Sequence, residues 1–279
     1  MISMALARQA GVSEEALEAA GDLMQQKNFD AEFRQILRTE GMTLEAAANR
    51  QEDPHLFALA VFLAWMPLLQ KDYASRGLPE QVFRDSIRDV GIWSRAYERS
   101  IGKPGAGEWD WLLLTFRRKL FRLGRLQYEP RILESEIPGC LPAGAPVLEV
   151  HIPAEEPLKP EKVRNSLKTA VDFFEKYEKK PYAAFHCHSW LLAEELKQML
   201  PESSGILQFQ RLFTVYAEDY GFSQAEERVF GEILEDPAAY PTGTSLQRNL
   251  RQWRMEGKKI GMGAGLLFLS ELPLSDRRS

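Results

Sequence analysis

The sequence predicts a chain of mixed α+β/α/β class, with an all-α helical bundle over residues 1–118 and an α/β domain over residues 119–279. Three observations lead there. Apolar residues recur at helical spacing up to residue 118 with no competing strand pattern. Beyond it, short β-type runs alternate with helical ones. A length of 279 residues is also about two average domains.

Composition narrows the class without naming a function. With 44% hydrophobic and 27% charged residues the chain can fill a core, which excludes disordered, collagenous and low-complexity classes. The 35 basic and 40 acidic residues leave a net charge of −5 and no global attraction to nucleic acid. Cys140 and Cys187 are too few for a disulfide framework, and the first twenty residues lack an export signal. A cytoplasmic, reducing setting is therefore expected. The most apolar run, Leu56–Leu69, is shorter than the roughly 20 residues a membrane span needs and contains Pro67; it predicts a buried helix, not a membrane segment.

In the first part, Ser13 followed by Glu14 and Glu15 reads as a helix start. Asp30 opens a second helix carrying Phe33, Ile36 and Leu37 to Gly41, and Thr43 with Ala46–Ala48 opens a third. Leu56–Ala74 is apolar nearly all round and belongs in the middle of the bundle. Pro79 starts a helix with Phe83, Ile87, Val90, Tyr97 and Ile101 on one stripe, broken by Gly102–Gly107. A last helix runs from Glu108 to Arg118.

In the second part, Leu120–Leu133 reads as one extended segment and Val147–Ile152 as a strand ended by Pro153. Pro160 opens a helix with Val163, Leu167, Val171 and Phe174 on its apolar face. Tyr182–Trp190 is a strand, Leu191–Leu200 a helix, and Ile206–Tyr216 a strand. Helices near Ser223–Leu234 and Ser245–Glu256 and a strand at Lys259–Leu269 complete the pattern. Right-handed crossovers would join parallel neighbours.

Polar residues on two of these strands are the candidate chemistry. With a period of two, Glu149 and His151 share a face of one strand, and His186, His188 and Trp190 share a face of the other. Ligands in α/β sheets sit beyond the carboxyl ends of strands, where His151 and His188 fall. A histidine there can serve as a general base, or it can be a rim residue bonded to backbone. Cys187 and His188 point to opposite faces, so they do not form a nucleophile pair. Ser189 reads first as a helix N-cap. No zinc-ligand spacing is present, and no metal is expected. Arg117, Arg118, Lys119, Arg122 and Arg125 form a basic cluster that can hold a phosphorylated cofactor or serve as a solvated helix end. Pro153–Lys162 leads into a helix N-terminus, a ready anion site, but contains no glycine.

The segments Arg122–Gln127, Val150–Pro153, Cys187–Leu192, Ile206–Arg211 and Thr244–Arg248, with Gly102–Gly105 in the first part, carry a family resemblance. The chain resembles bacterial acyltransferases with a helical N-acyltransferase N-terminal domain and a GNAT-like C-terminal domain. That resemblance implies a mixed, centrally splayed sheet whose splay admits an acyl-CoA thioester. It implies transfer of the acyl group to a small amine-type acceptor, with no nucleic acid or membrane partner and no defined oligomeric state. His151 is then the candidate base with Glu149 as helper, His188 the candidate acid for the departing thiolate, and Ser189 a reserve. Ile152, Lys159, Lys162, Arg122 and Arg125 are the candidate acyl-CoA contacts. Two other readings stand beside it: a non-catalytic ligand-binding or interaction module derived from the same fold, and a metal-dependent hydrolase built on His151, His186 and His188.

Overall fold

The computed structural model describes residues 3–26 and 44–272; the helix expected from Asp30 to Gly41 lies outside them. The described residues fall into two compact units that divide between Leu123 and Gly124.

The first unit is helical, with α1 (Met4–Ala10), α2 (Glu14–Gln26), α3 (Leu44–Ala48), α4 (Pro54–Ser75), α5 (Glu80–Ile101) and α6 (Trp109–Phe116), followed by the short strand β1 (Phe121–Leu123). Asp53 caps α4 by accepting the Leu56 N–H at 3.0 Å, and Pro54 occupies the first turn. The apolar sequence of α4 has no polar face to offer solvent, so the helix sits in the middle and touches every other described helix of the unit. Phe62, Trp65 and Phe116 form an aromatic cluster with ring centroids 5.2–5.9 Å apart. On α5, Phe83, Ile87 and Val90 are buried as expected, whereas Ile101 is exposed because it is the last residue before the left-handed Gly102 cap. Gly91 of α5 lies against the end of α1: a Cβ there would stand 2.1 Å from the Ala10 carbonyl oxygen.

The second unit holds β2 (Leu126–Ile132), β3 (Pro146–His151), α7 (Pro160–Tyr177), β4 (Ala184–Ser189), α8 (Leu196–Met199), α9 (Gly205–Gln210), β5 (Thr214–Asp219), α10 (Gln224–Phe230), α11 (Ser245–Met255) and β6 (Met262–Phe268). Its strands lie in the order β2-β3-β4-β6-β5. Only β3 and β4 are parallel, joined through α7; the other neighbours are antiparallel, so the sheet is mixed. α7 buries Val163, Leu167, Ala170, Phe173 and Phe174, with Val171 half-buried.

Three local expectations change. Leu120–Leu133 is two strands, because Gly124 at φ 75° turns the chain between them. Leu191–Leu200 is a single 3₁₀ turn, Trp190–Leu192, and then the short α8; Ala193 between them is extended, and its carbonyl accepts the Gln210 side-chain N–H at 2.7 Å. Ile206–Tyr216 begins as α9 and becomes β5 only at Thr214. Ser204 caps α9, and its short apolar run fits either period until tertiary contacts choose.

One side chain ties α7 to the sheet. The Ser166 hydroxyl oxygen accepts the Leu126 backbone N–H at 3.0 Å and lies 3.0 Å from the Tyr128 hydroxyl, inside a buried environment. Burial holds the Tyr128 phenol far above its usual range, so it remains a donor. Replacing Ser166 by Ala strips a partner from two buried groups. It is expected to lower unfolding stability by about 2–3 kcal/mol in chemical denaturation. Adding Tyr128→Phe should recover part of that loss, and a purely additive double mutant would contradict the coupling.

Candidate active site

The site begins where a ladder stops. β3 and β4 pair through Val147↔Ala184, Leu148↔Phe185 and Glu149↔His186, and no further. Beyond that point each strand stays with its outer neighbour: Val150 and His151 with Tyr128 and Gln127 of β2, and Cys187, His188 and Ser189 with Gly265, Ala264 and Gly263 of β6. The two central strands therefore diverge toward their carboxyl ends, which is the central splay. Glycines bring β6 close to the turn after β4, since a Cβ on Gly263 would stand 2.6 Å from the Leu192 carbonyl oxygen.

The last rung of that ladder carries ionisable groups. Glu149 is 7% exposed, and its Oε2 lies 2.5 Å from Nδ1 of His186. A carboxylate facing Nδ1 keeps the proton on that nitrogen, which leaves Nε2 as an acceptor. In that tautomer Nε2 accepts from the hydroxyl of Tyr216, 2.8 Å away. Tyr216 comes from β5, where the register against β6 shifts between Val215 and Ala217; it is the extra residue of a β-bulge. Bulges re-aim side chains, and this one directs the phenol to the ring. Burial, and then the Glu149 charge and Cys140, raise the Tyr216 phenol above its usual range, so its proton stays available to donate.

The structure redistributes the roles expected of the other residues. Glu149 faces His186, its partner across the ladder, instead of assisting His151, two residues along its own strand. Nε2 of His151 lies 3.3 Å from a carboxylate oxygen of Glu129 on β2, and the ring is partly buried. His188 is exposed, with no side-chain hydrogen bond among the described residues. The Ser189 hydroxyl accepts the Leu191 N–H at 3.2 Å and caps the 3₁₀ turn, the N-cap role its sequence position suggested.

The expected anion contacts also separate. Ile152 follows β3 and is half-buried; Lys159 is exposed at the N-cap of α7, and Lys162 in its first turn is paired with Glu156. Arg122 and Arg125 are only 2% and 5% exposed, so they do not build the exposed basic cluster expected of them. Arg122 is placed in β1, where its backbone N–H donates to Ser86 Oγ at 2.9 Å. Arg125 donates to the carbonyl oxygens of Glu156 and of Pro157, the latter at 3.3 Å. A buried guanidinium must find acceptors, and consecutive carbonyls of this loop supply them. Gly205 presses the same loop from the other side, since a Cβ there would stand 2.1 Å from the Leu158 carbonyl oxygen. The glycine-free loop before α7 is thus clamped at both flanks.

A helical unit followed by a mixed sheet splayed between its parallel central strands is a specific architecture. The N-acyltransferase N-terminal domain model matches residues 2–118, and the GNAT-like C-terminal domain model matches residues 120–267. The chain belongs to the GNAT-like C-terminal domain family.

Solved acyltransferases share this architecture. A structure of an acyltransferase in complex with decanoyl-CoA and teicoplanin aligns with a TM-score of 0.79 at 23% identity, over 96% of this chain and 87% of that one. A mutant acyltransferase in complex with octanoyl-CoA gives 0.78 at 24%, over the same shares. Another acyltransferase in complex with decanoyl-CoA gives 0.70 at 24%, over 98% of this chain and 100% of that one. At these identities the likeness establishes the fold. No functionally curated protein matches the chain.

Within the GNAT-like domain, the residues that sequence reasoning missed are Tyr216 and Glu129, and His186 ranked below its neighbours. Alternation places His186 and His188 on one face but cannot tell which is covered. Among the described residues no group of three or more His, Cys, Asp and Glu could hold a metal ion. Cys187 is buried, and burial followed by the Glu149 charge pushes its thiol well above the usual range. Iodoacetamide on the native protein near pH 8 should label exposed Cys140 alone; rapid double labelling, read by intact mass, would contradict this. Arg125→Ala removes the guanidinium contacts to the Glu156 and Pro157 carbonyl oxygens. It should cost about 3 kcal/mol of stability and speed amide exchange first in residues 156–163, whereas uniform loss of protection would rule out a local clamp.

Proposed function

We propose that this chain is an acyl-CoA-dependent N-acyltransferase that moves an acyl group directly from the thioester to a small amine-type acceptor. The observation that carries the reading is the end of the β3–β4 ladder at a histidine backed by a buried carboxylate, His186 on Glu149. That dyad stands at the vertex of a splay, in a fold whose solved relatives hold decanoyl-CoA or octanoyl-CoA, one of them with the glycopeptide teicoplanin.

Amine attack on a thioester carbonyl needs a proton acceptor, and the Glu149 carboxylate stabilises the imidazolium that forms when His186 takes the proton. Backbone N–H groups on the inner edge of β3 beyond Glu149, out to Ile152, would meet the developing oxyanion. Lys159, the first turn of α7 and Lys162, once released from Glu156, would receive the pyrophosphate. His151, held by Glu129, and exposed His188 lie on the diverging ends and act as secondary proton carriers. The two unbridged cysteines fit a reducing, cytoplasmic setting. A non-catalytic ligand-binding or interaction module derived from the same fold is the second reading, favoured by the absence of glycine from Pro153–Lys162.

A thermal-shift and calorimetry series with acetyl-, octanoyl- and decanoyl-CoA tests binding. At a hundredfold excess over Kd a ligand should add about 2.7 kcal/mol of stability. His186→Gln should keep that binding and lose turnover by about 100-fold or more, while His151→Gln and His188→Gln should each lose less than about tenfold. Absence of binding to any ester would sink the assignment. Binding without CoA release in the presence of amines would favour the non-catalytic module.

A further inference from the structure

Both nitrogens of the His186 ring are occupied. Nδ1 faces Glu149 at 2.5 Å and Nε2 faces the Tyr216 hydroxyl at 2.8 Å. Exposure falls in the same order inward. Tyr216 is 38% exposed, the His186 side chain 12% and the Glu149 side chain 9%. A substrate arriving from solvent therefore meets the phenol before it can meet the imidazole. The phenol is not there by the ordinary geometry of an edge strand. It is the inserted residue of the β5 bulge, and every residue of β5 is exposed, so no core packing demands that it turn inward. A bulge that brings an exposed tyrosine onto a half-buried histidine is built for that contact.

We propose that Tyr216 is a catalytic residue of the acyl transfer, carrying the acceptor's proton to and from His186; this rests on the acyl-transfer reading above. The acceptor nitrogen attacks the thioester carbonyl carbon and forms the N–C bond. Its proton passes to the Tyr216 oxygen as the Tyr216 proton passes to Nε2 of His186, and Glu149 stabilises the resulting imidazolium. Collapse of the tetrahedral adduct breaks the C–S bond. The proton then returns from Nε2 through Tyr216 to the leaving sulfur, so that amide and CoA thiol are released and His186 and Tyr216 regain their starting states. No oxidant, reductant or further reactant is required. The arrangement leaves His186 shielded from water between turnovers, because the ring nitrogen that acts is covered until a substrate engages the phenol.

The sign of one substitution separates this from the alternative in which His186 meets the acceptor itself. Thiol release from decanoyl-CoA, with a simple primary amine such as ethanolamine as the probe, is measured for the wild type and Tyr216→Phe. The relay requires kcat to fall by about 100-fold with the KM for decanoyl-CoA within about twofold. If Tyr216 only covers the ring, the Phe variant uncovers Nε2 and works as well as the wild type or faster, which overturns the proposal. A proton inventory on the wild type in mixed light and heavy water gives a second measurement that needs no variant to fold. A bowed plot, from two protons in flight, supports the relay, and a straight line overturns it. A wild type that binds no CoA ester and releases no thiol overturns the acyl-transfer reading and the relay together. Wild-type turnover with an unimpaired Tyr216→Phe overturns the relay alone.

Discussion

The contact between Glu149 and His186 is the constraint around which the second unit is arranged. A carboxylate 7% exposed in the middle of a sheet is costly to bury unless a charged or strongly donating partner meets it. His186 is that partner, and it can reach Glu149 because parallel β3 and β4 are in register at this rung. The same rung is the last one. Apolar residues sit on the ladder side of it, at Val147, Leu148, Ala184 and Phe185, all buried; divergence, exposure and histidines lie beyond it. The polar pair marks the border between the paired ladder and the diverging strand ends.

The elements around that border each solve a local problem that keeps it in place. α7 returns the chain so that β3 and β4 can be parallel, and Ser166 on α7 holds β2 through the Leu126 N–H. The loop leading into α7 has no glycine to relax its backbone. Arg125 on one side and the close approach of Gly205 on the other fix it instead. Farther along the chain, Glu226 is 2% exposed and is satisfied by Arg254 at 2.9 Å and the Tyr240 hydroxyl at 2.7 Å, which ties α10 to α11. Glu149 and Glu226 each have such a partner, the usual condition for tolerating a buried charge. The edge strand β5 is different in kind, exposed on both faces and bulged at the residue that completes the histidine's hydrogen bonds.

The first unit follows a simpler rule. Its central helix is apolar all round and is surrounded for that reason, with the aromatic cluster of Phe62, Trp65 and Phe116 filling the space between α4 and α6. Close helix approach is set by backbone more than by side-chain bulk, as at Gly91 against the Ala10 carbonyl. Among the described residues no helix is long and apolar enough to cross a membrane, and most of the run from Leu56 to Leu69 is buried, with Leu68 exposed.

Much of this architecture was legible in the sequence because it depends on short-range periodicity. The near-complete apolarity of Leu56–Leu69, the proline at the start of α7, the alternation that puts Glu149 with His151 and His186 with His188 on single strand faces, and the Ser189 cap are all local facts. Where two periods compete over a few residues, as in Ile206–Tyr216, the sequence leaves helix and strand undecided, and the Ser204 cap and the packing of Leu207 and Phe209 settle it. Alternation also equates His186 with His188, although one is covered and the other faces water. Burial is a property of neighbours: Tyr216 lies 30 residues away and arrives through a register shift that no spacing rule encodes. The same limit governs charge, since a run of arginines reads as a patch until the fold turns Arg122 and Arg125 inward. The sequence alone determined the fold class and pointed to the strands that carry the candidate site. Only the tertiary structure decided which histidine is covered and what it faces, because hydrogen bonding and desolvation act between residues distant in the chain.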